Sequence, residues 1–369
     1  MKRSYPNQFA RIGVTDEAVR AKVEATFQNI FFDPEENFYH EVDADSACMV
    51  DTGNIDARTE GMSYGMMMAV QMDRQDLFNK LWTFACRYML HTSGKYEGYF
   101  AWSVQLDGKH NAEGPAPDGE EYFAMALFLA SARWGDGVGL FDYVAQARTI
   151  LRHCVHQHEM VTNGDAMWDP ENYHIRFVPE ARYTDPSYHL PHFYQVFAER
   201  ADECDRSFWA EAARASREFI AASAHPVTGM SAEYTEHDGT TRLMFRKPFA
   251  YYSDAYRVAM SIALDTLWNG RSDATAAVVT RLQDFFAPIP QSDFRAYALD
   301  GTAFDEPAMH PVAITAVLGA ASIASDSKHA DEWLRRFWNE PPRKGKRRYY
   351  DNCLYFFSLL MLAGMYQVY

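Results

Sequence analysis

The sequence is poor in cysteine and in positive charge. Its 369 residues include five cysteines, an odd number, at wide spacings and without a Cys-x-x-Cys pair. We therefore expect no disulfide framework and no cysteine zinc site, and most of the five should be buried small apolar side chains. Against 50 acidic residues stand 35 Lys and Arg, a formal net charge of −15. This balance disfavours nucleic acid and anionic membrane surfaces as partners, because both attract basic proteins.

Long hydrophobic runs are also missing. No apolar stretch approaches the roughly 20 residues needed to cross a bilayer. The start, MKRSYPNQ, is basic but leads into polar sequence, not into the apolar segment of a secretory signal. We therefore expect a cytoplasmic protein. No Pro-, Gly- or Ser-rich linker divides the chain, so residues 1–369 are interpreted as one domain.

The sequence does contain a recurring helical unit. Apolar spacing close to 3.6 residues predicts about twelve helices, at residues 15–30, 60–73, 75–91, 119–134, 139–159, 188–200, 206–223, 252–268, 271–287, 311–325, 328–339 and 350–366. Extended residues are few and lie in long connections such as 96–105 and 228–245. The protein should therefore be all-α.

The predicted helices alternate in character. Charged, amphipathic segments alternate with segments that are apolar nearly all round, such as residues 66–70 (MMMAV) and 354–362 (LYFFSLLML). A helix that is apolar on every face is buried, whereas an amphipathic one keeps a side in solvent. Six buried and six solvent-facing helices predict an (α/α)6 barrel with an inner and an outer ring. An irregular helical array or solenoid remains the alternative.

One end of such a barrel should carry the chemistry, because all inner helices start there. Glu60, Asp118, Asp185 and Asp254 stand at or just before predicted inner helices, among many tyrosines. Carboxylates among aromatic rings suit cleavage of a glycosidic bond. One carboxylic acid protonates the leaving oxygen, another carboxylate activates water or attacks carbon, and aromatic rings stack on sugar faces.

Helix capping is the simpler explanation for some of these residues. Asp118 with Glu121 fits a capping box, and Asp185 before Pro186 fits an N-cap followed by a first-turn proline. Ser253 is also a candidate cap for the helix that follows it. For these positions, capping and catalysis both stay open.

Glu60 is harder to explain by capping. It stands before Gly61, and glycine permits the close approach of another group. The positive end of a helix lowers the pKa of a carboxyl group. A proton donor at position 60 therefore needs burial and a nearby like charge to raise its pKa, and Asp118 is the candidate for that charge.

The histidines do not predict a metal site. His153, His156 and His158 lie on one amphipathic segment and are interpreted as a solvated face. His189 and His192 lie three apart on a buried segment and are interpreted as hydrogen-bonded core residues. Gly-rich phosphate loops and dinucleotide fingerprints are missing as well. We expect neither a metal nor a cofactor.

Four motifs resemble glycoside hydrolase family 8. In the order that the family shows, they are residues 59–66 (TEGMSYGM), 117–123 (PDGEEYF), 185–188 (DPSY) and 253–257 (SDAYR). The likeness runs from about residue 20 to the end, and it implies an (α/α)6 barrel that hydrolyses glycosides with inversion. It also implies that Glu60 is the general acid, Asp254 the general base, and Asp118 a third acidic residue that contacts the sugar at the cleavage point.

The resemblance also implies which residues surround the substrate. Tyr188, Arg257 and Trp102 should line the subsite at the cleavage point, and Tyr251 is added as a substrate-binding residue. Residues 309–311 (MHP) stand where an exo-acting branch of the family has a Leu-His-Pro loop that closes the cleft. In that branch the histidine of the loop holds the reducing-end hydroxyl, and the resemblance implies the same role for His310.

The resemblance to this branch predicts the release of xylose from the reducing end of xylo-oligosaccharides, which are the expected partner. Two alternatives stay open. One is an endo-β-1,4-xylanase or endoglucanase with an open cleft. The other is a sugar-binding protein or epimerase on the same barrel that leaves glycosidic bonds intact.

Overall fold

A computed structural model describes residues 4–369, so the basic residues Lys2 and Arg3 lie outside it. Within this range there are twelve α-helices, and each predicted helical segment coincides with one of them. They are α1 Asp16–Phe32, α2 Thr59–Gln71, α3 Gln75–Tyr88, α4 Pro117–Trp134, α5 Tyr143–Met160, α6 Pro191–Arg200, α7 Arg206–Ser223, α8 Arg257–Asn269, α9 Asp273–Phe286, α10 Pro311–Ala321, α11 Ala330–Asn339 and α12 Arg348–Leu362.

The even-numbered helices form a closed inner ring. Contacts run from α2 through α4, α6, α8, α10 and α12 and back to α2. Outside them, α3, α5, α7, α9 and α11 each pack on the inner helix that precedes them, and α1 packs on α12. The predicted (α/α)6 barrel is therefore confirmed. A solenoid is excluded because its first and last units would not touch.

Burial explains why the two rings differ. Every residue of α2 except Glu60 is buried, whereas α11 buries one stripe that includes Trp333 and Phe337. Burying a large apolar side chain contributes about 1.5–3 kcal/mol. A helix that is apolar all round, such as α2, is therefore most stable with neighbours on every side, and α11 is most stable at the surface.

Nine short strands within residues 4–369 lie in the connections. The first five form one antiparallel sheet: β1 Tyr39–Glu41, β2 Ala47–Asp51, β3 Asp56–Arg58, β4 Ser103–Val104 and β5 His110–Ala112. The other four form two pairs: β6 Tyr183–Thr184 with β7 Thr235–Glu236, and β8 Arg295–Tyr297 with β9 Ala303–Pro307. Only β4 and β7 fall in the connections predicted to be extended. The other strands lie outside the connections that the sequence marked as extended. The sheet matters for function because β3 ends at Arg58 and α2 begins at the next residue.

The prediction that most cysteines are buried is confirmed. Cys48, Cys154 and Cys353 are buried, Cys86 is partly buried, Cys204 is exposed, and none forms a disulfide in the described chain. None of the helices within residues 4–369 combines the length and the hydropathy that a membrane span needs.

The histidine predictions are confirmed except for one residue. His153 and His156 are partly exposed on α5 and His158 is exposed, as a solvated face requires. The buried His189 lies within hydrogen-bond distance of Thr184 and Ser216. His192 is buried, but neither ring nitrogen has a hydrogen-bond partner among residues 4–369. Its core position is therefore correct, and its predicted hydrogen bonding is wrong.

Candidate active site

Two cavities join at the end of the barrel where α2 and α8 begin. The larger, about 490 Å³, has aromatic walls formed by Trp102, Phe177, Tyr188, Tyr234 and Phe245. The smaller, about 260 Å³, has mainly polar walls that include Asp51, Asn54, His310, Arg347, Tyr349 and Tyr350. Arg58, Glu60 and Asp254 line both cavities. The structure therefore places the predicted acid and base at one junction.

Glu60 lies in the first turn of α2 and is held from two sides. Its Oε1 accepts a hydrogen bond from the Tyr349 hydroxyl at 2.9 Å, and its Oε2 accepts one from Arg257 at 3.1 Å. Burial raises the pKa of Glu60 to about 7; Arg257 opposes the rise, and the charges of Asp118 and Asp254 add to it. Burial and a like charge from Asp118 thus overcome the effect of the helix end.

Two glycines allow the groups around Glu60 to come together. A Cβ on Gly61 would lie 2.6 Å from the Tyr349 hydroxyl oxygen. A Cβ on Gly119 would lie 2.4 Å from the Cβ of Thr59. Both distances are shorter than any normal contact. Gly61 therefore admits the tyrosine that binds Glu60, as the sequence indicated, and Gly119 lets the starts of α2 and α4 touch.

Arg257 is the centre of the site. It is 4% exposed and bonds Asp118 at 2.9 Å as well as Glu60. Its other terminal nitrogen lies 3.5 Å from Asp254 and 3.8 Å from Asp185. Four carboxylates thus surround one guanidinium. Since a buried charge is costly without a partner, each group in this cluster depends on the others.

The capping explanation is wrong for Asp118. The N-cap of α4 is Ala116, without a side-chain hydrogen bond, and Asp118 binds Arg257 instead. Its supposed partner Glu121 accepts a hydrogen bond from the Tyr194 hydroxyl at 3.0 Å. Burial raises the pKa of both carboxyls, Glu121 and Asp118. Proline at the first position of α4 moves Asp118 inside the helix and leaves its carboxylate free to point inward.

Of the other two capping predictions, one is confirmed and one is wrong. Asp185 caps the short 3-10 helix Pro186–Tyr188, accepting a hydrogen bond from the Ser187 amide at 2.7 Å, which confirms the N-cap followed by proline. Ser253 does not act as a cap: it is the first residue of the 3-10 helix Ser253–Tyr256, and the N-cap is Tyr252.

Asp254 is the most open of the four carboxylates. It lies in the 3-10 helix just before α8, and its side chain is 27% exposed, against 16% for Glu60 and 0% for Asp185. A buried acid behind it, Glu233, was not found from the sequence. Burial raises the pKa of Glu233 to about 7, Asp254 adds to the rise, and Lys247 lies 3.1 Å from both carboxylate oxygens.

The predicted aromatic residues take different places. Trp102 and Tyr188 line the larger cavity, and the Arg58 guanidinium lies 5.3 Å from the centre of the Trp102 ring. Tyr251 is a correction: it is 1% exposed and its ring packs on Phe286 of α9. Its backbone pairs with Tyr297, and the ring is part of the core between the inner and outer helices.

Three aromatic walls of the larger cavity were missed, namely Phe177, Tyr234 and Phe245. They lie in connections, where no periodic pattern marks them. Phe245 is 65% exposed, and its φ of +56° is followed by +60° at Arg246. Two successive non-glycine residues in the left-handed region are unusual. This geometry holds the Phe245 ring at the cavity.

His310 lines the smaller cavity from the N-cap position of α10. Its Nδ1 lies 2.8 Å from Oδ2 of Asp351 on α12, and Oδ1 of Asp351 accepts a hydrogen bond from the Ala313 amide at 2.9 Å. Asp351 therefore caps α10 and orients the imidazole. Because a carboxylate accepts the Nδ1 proton, Nε2 is left as an acceptor for a ligand hydroxyl.

The closed ring of helices and the acidic junction define the class. The chain belongs to the glycosyl hydrolases family 8, whose family model matches residues 42–364. The sequence is 52% identical to a reducing-end xylose-releasing exo-oligoxylanase of Paenibacillus barcinonensis, over 99% of this chain and 97% of that protein. It is 49% identical to the reducing end xylose-releasing exo-oligoxylanase of Bifidobacterium adolescentis, over 98% and 96%.

A solved structure of one of these relatives is also similar to this chain. The structure of the Paenibacillus barcinonensis protein complexed with xylose superimposes with a TM-score of 0.97 at 51% identity, covering 99% of this chain and 98% of that one. A more distant relative, endoglucanase 2 of Ruminiclostridium josui, is 26% identical over 84% of this chain and 64% of that protein.

Proposed function

We propose that this glycoside hydrolase releases xylose from the reducing end of β-1,4-xylo-oligosaccharides with inversion. The observation that carries the proposal is the placement of Glu60 and Asp254 at the junction of two unequal cavities, the smaller lined by His310. Relatives at about half identity are named for this reaction. One of them was solved with an arabinofuranosyl-xylotetraose.

Glu60 acts as the general acid in this mechanism. With a pKa of about 7, a large share of Glu60 carries a proton at neutral pH, and that proton passes to the leaving glycosidic oxygen. Tyr349 and Arg257 hold the carboxyl in place and stabilise the carboxylate that remains.

Asp254 acts as the general base. It takes a proton from a water molecule that attacks the anomeric carbon from the face opposite the leaving group. An inverting pair needs its carboxyl groups about 6.5–9.5 Å apart to hold that water. Glu60 lies 3.1 Å from one terminal nitrogen of Arg257, and Asp254 lies 3.5 Å from the other. The guanidinium therefore keeps the two carboxyl groups apart while both stay at the junction. Asp118, fixed by Arg257, contacts the sugar at the cleavage point.

The two cavities bind the two sides of the broken bond. The aromatic cavity holds the sugars on the non-reducing side by stacking, with Trp102 and Tyr188 nearest the junction. The polar cavity holds the departing xylose, whose hydroxyl donates to Nε2 of His310. A cavity about half as large as its neighbour suits one sugar and thus an exo-acting enzyme.

Labelled xylotriose tests this function. We expect a label at the reducing-end carbon to appear in free xylose, and early proton NMR spectra to show the newly formed xylobiose as its α anomer. Label in xylobiose would reject release from the reducing end, and a β anomer would reject inversion. A rapid fall in the viscosity of polymeric xylan would instead support an endo-acting enzyme.

We also propose that the whole chain acts as one catalytic domain in the cytosol on imported oligosaccharides. A small leaving-group cavity suits short chains, and five unpaired cysteines suit a reducing compartment. Fractionation of the native cell, with activity recovered mainly from the culture medium, would contradict this placement.

A further inference from the structure

Three side chains outside the catalytic junction converge beside the five-stranded sheet. His91 follows α3, His110 lies in β5, and Glu113 follows β5 by one residue. One ligand atom from each side chain, a ring nitrogen of each histidine and a carboxylate oxygen, lies within 4.8 Å of the others. The side chains are 13%, 26% and 68% exposed, so the cluster opens to solvent on the Glu113 side.

Backbone carbonyls determine which nitrogen of each histidine carries the proton. His91 Nε2 lies 2.8 Å from the carbonyl oxygen of Glu113, and His110 Nε2 lies 3.0 Å from that of Tyr88. A carbonyl oxygen can only accept, so both rings hold a proton on Nε2. Both Nδ1 atoms are then free to offer their lone pairs, and both face Oε2 of Glu113, at 4.0 Å for His91 and 2.9 Å for His110.

Two imidazole nitrogens and a carboxylate that converge in this way suit a positive charge between them, either a shared proton or a metal ion. Histidines that bind metals commonly donate their other N–H to a backbone carbonyl, as both histidines do here. Ligands bound tetrahedrally at about 2.0–2.1 Å lie roughly 3.4 Å apart. The distances from Glu113 Oε2 to the two Nδ1 atoms, 2.9 and 4.0 Å, lie on either side of that value.

We propose that His91 Nδ1, His110 Nδ1 and the Glu113 carboxylate bind one divalent transition-metal ion of the Zn²⁺ type. Two imidazoles and one carboxylate form a ligand set that suits Zn²⁺ better than Mg²⁺ or Ca²⁺. Water takes the fourth position on the exposed side. We call these three residues the His91 cluster.

The role of the His91 cluster is structural. The connection after α3 and the hairpin β4–β5 meet there, and the Trp102 amide donates to the carbonyl oxygen of Gly114, next to Glu113, at 3.0 Å. Pro115 and Ala116 follow and line the larger cavity. An ion in the cluster therefore tethers the wall that carries Trp102 without touching the reacting atoms.

Zinc titration of the chelator-stripped full chain tests the proposal by calorimetry. We expect one Zn²⁺ per chain. Since each substitution removes one of three ligands, His110→Ala and Glu113→Gln should raise the Kd at least tenfold, a loss of about the size seen when metal-site partners are removed. Glu113→Gln keeps the backbone carbonyl that orients His91, so it isolates the carboxylate.

The chain offers a matched control. His329 Nδ1 lies 3.0 Å from the carboxylate of Glu332, three residues later, like His110 and Glu113. Within residues 4–369, however, this pair belongs to no group of three candidate metal ligands. His329→Ala should keep wild-type Zn²⁺ affinity.

Melting temperature gives a second readout. Zn²⁺ should raise it in the wild type and in His329→Ala but not in His110→Ala. Absence of a stoichiometric Zn²⁺ site, or equal weakening by His110→Ala and His329→Ala, would overturn the proposal and leave a histidine–glutamate pair that shares a proton.

Discussion

The two cavities that join at Glu60 and Asp254 differ in the way they hold a sugar. The larger offers ring faces, among them Trp102 and Phe245, and the smaller offers directed polar groups, above all His310 and Arg347. Stacking tolerates small shifts along a chain, whereas a hydrogen bond to one hydroxyl does not. Within the proposed function, the larger cavity therefore accepts chains of different lengths, whereas the smaller cavity is selective for the reducing end.

The largest expected effect is at the junction itself. Glu60→Gln and Asp254→Asn should each lower kcat on xylotriose by roughly a hundred- to ten-thousandfold, because each removes a proton-transfer group. Steady-state hydrolysis measures the loss, and circular dichroism checks the fold.

A leaving group that needs little protonation separates the two roles. With β-xylobiosyl fluoride as substrate, Glu60→Gln should recover most of its turnover while Asp254→Asn stays slow. Equal recovery of both variants would remove the acid and base assignments.

Replacing His310 tests the selectivity of the smaller cavity for the reducing end. His310→Ala should lower kcat/KM on xylotriose roughly ten- to hundredfold, as expected for one directed hydrogen bond in a closed site. Xylotriose with its end reduced to the alditol provides the measurement. The wild type should discriminate strongly against it, and the variant should not. Unchanged discrimination would show that His310 does not read the chain end.

The pH profile tests the electrostatics shared by both cavities. Glu60 must be protonated to act, and its pKa is raised to about 7. We therefore expect kcat/KM to fall about tenfold for each pH unit above 7. Asp118 adds to that rise, so Asp118→Asn should move the fall to lower pH. Glu332→Gln, far from the junction, is the control. An unmoved or higher midpoint in Asp118→Asn would contradict the assignment.

The smallest effect is expected on the aromatic side. Phe245→Ala should raise KM for xylotetraose roughly two- to tenfold, the range of one aromatic contact, and change it less for xylobiose. Leu243→Ala is the matched control, since Leu243 is exposed on the same connection and does not line the cavity. Equal effects of the two substitutions would show that the connection, and not the ring, matters.

Whether a prediction was correct depended on how far apart in the sequence the interacting residues lie. Helix positions such as α2 depend on spacing within one segment, and their apolarity on all sides already placed them inside. Capping by Asp185 is equally local, and it was correct. Asp118 and Glu121 matched the same local pattern, yet their carboxyls turn to Arg257 and Tyr194. Tyr251 was misplaced because a bridge to Tyr297 turns its ring into the core.

The His91 cluster shows the same limit. Spacings of 19 and 3 residues match no familiar metal pattern, and the sequence led us to expect no metal. The cluster becomes visible only when the connection after α3 lies against β5. The roles of Glu60, Asp254 and Asp118 remain proposals, as does the single catalytic domain over residues 1–369.

The order of residues alone was sufficient for the helices, the ring architecture and the family, because each rests on periodicity or on short contiguous motifs. Three-dimensional contact decided the chemistry. Glu60 and Arg257, 197 positions apart, touch only in the closed barrel, and the proton that Glu60 carries near pH 7 depends on burial there. The pKa of Glu60 depends on its surroundings in the folded chain, so the residues next to it in the sequence could not have predicted its value.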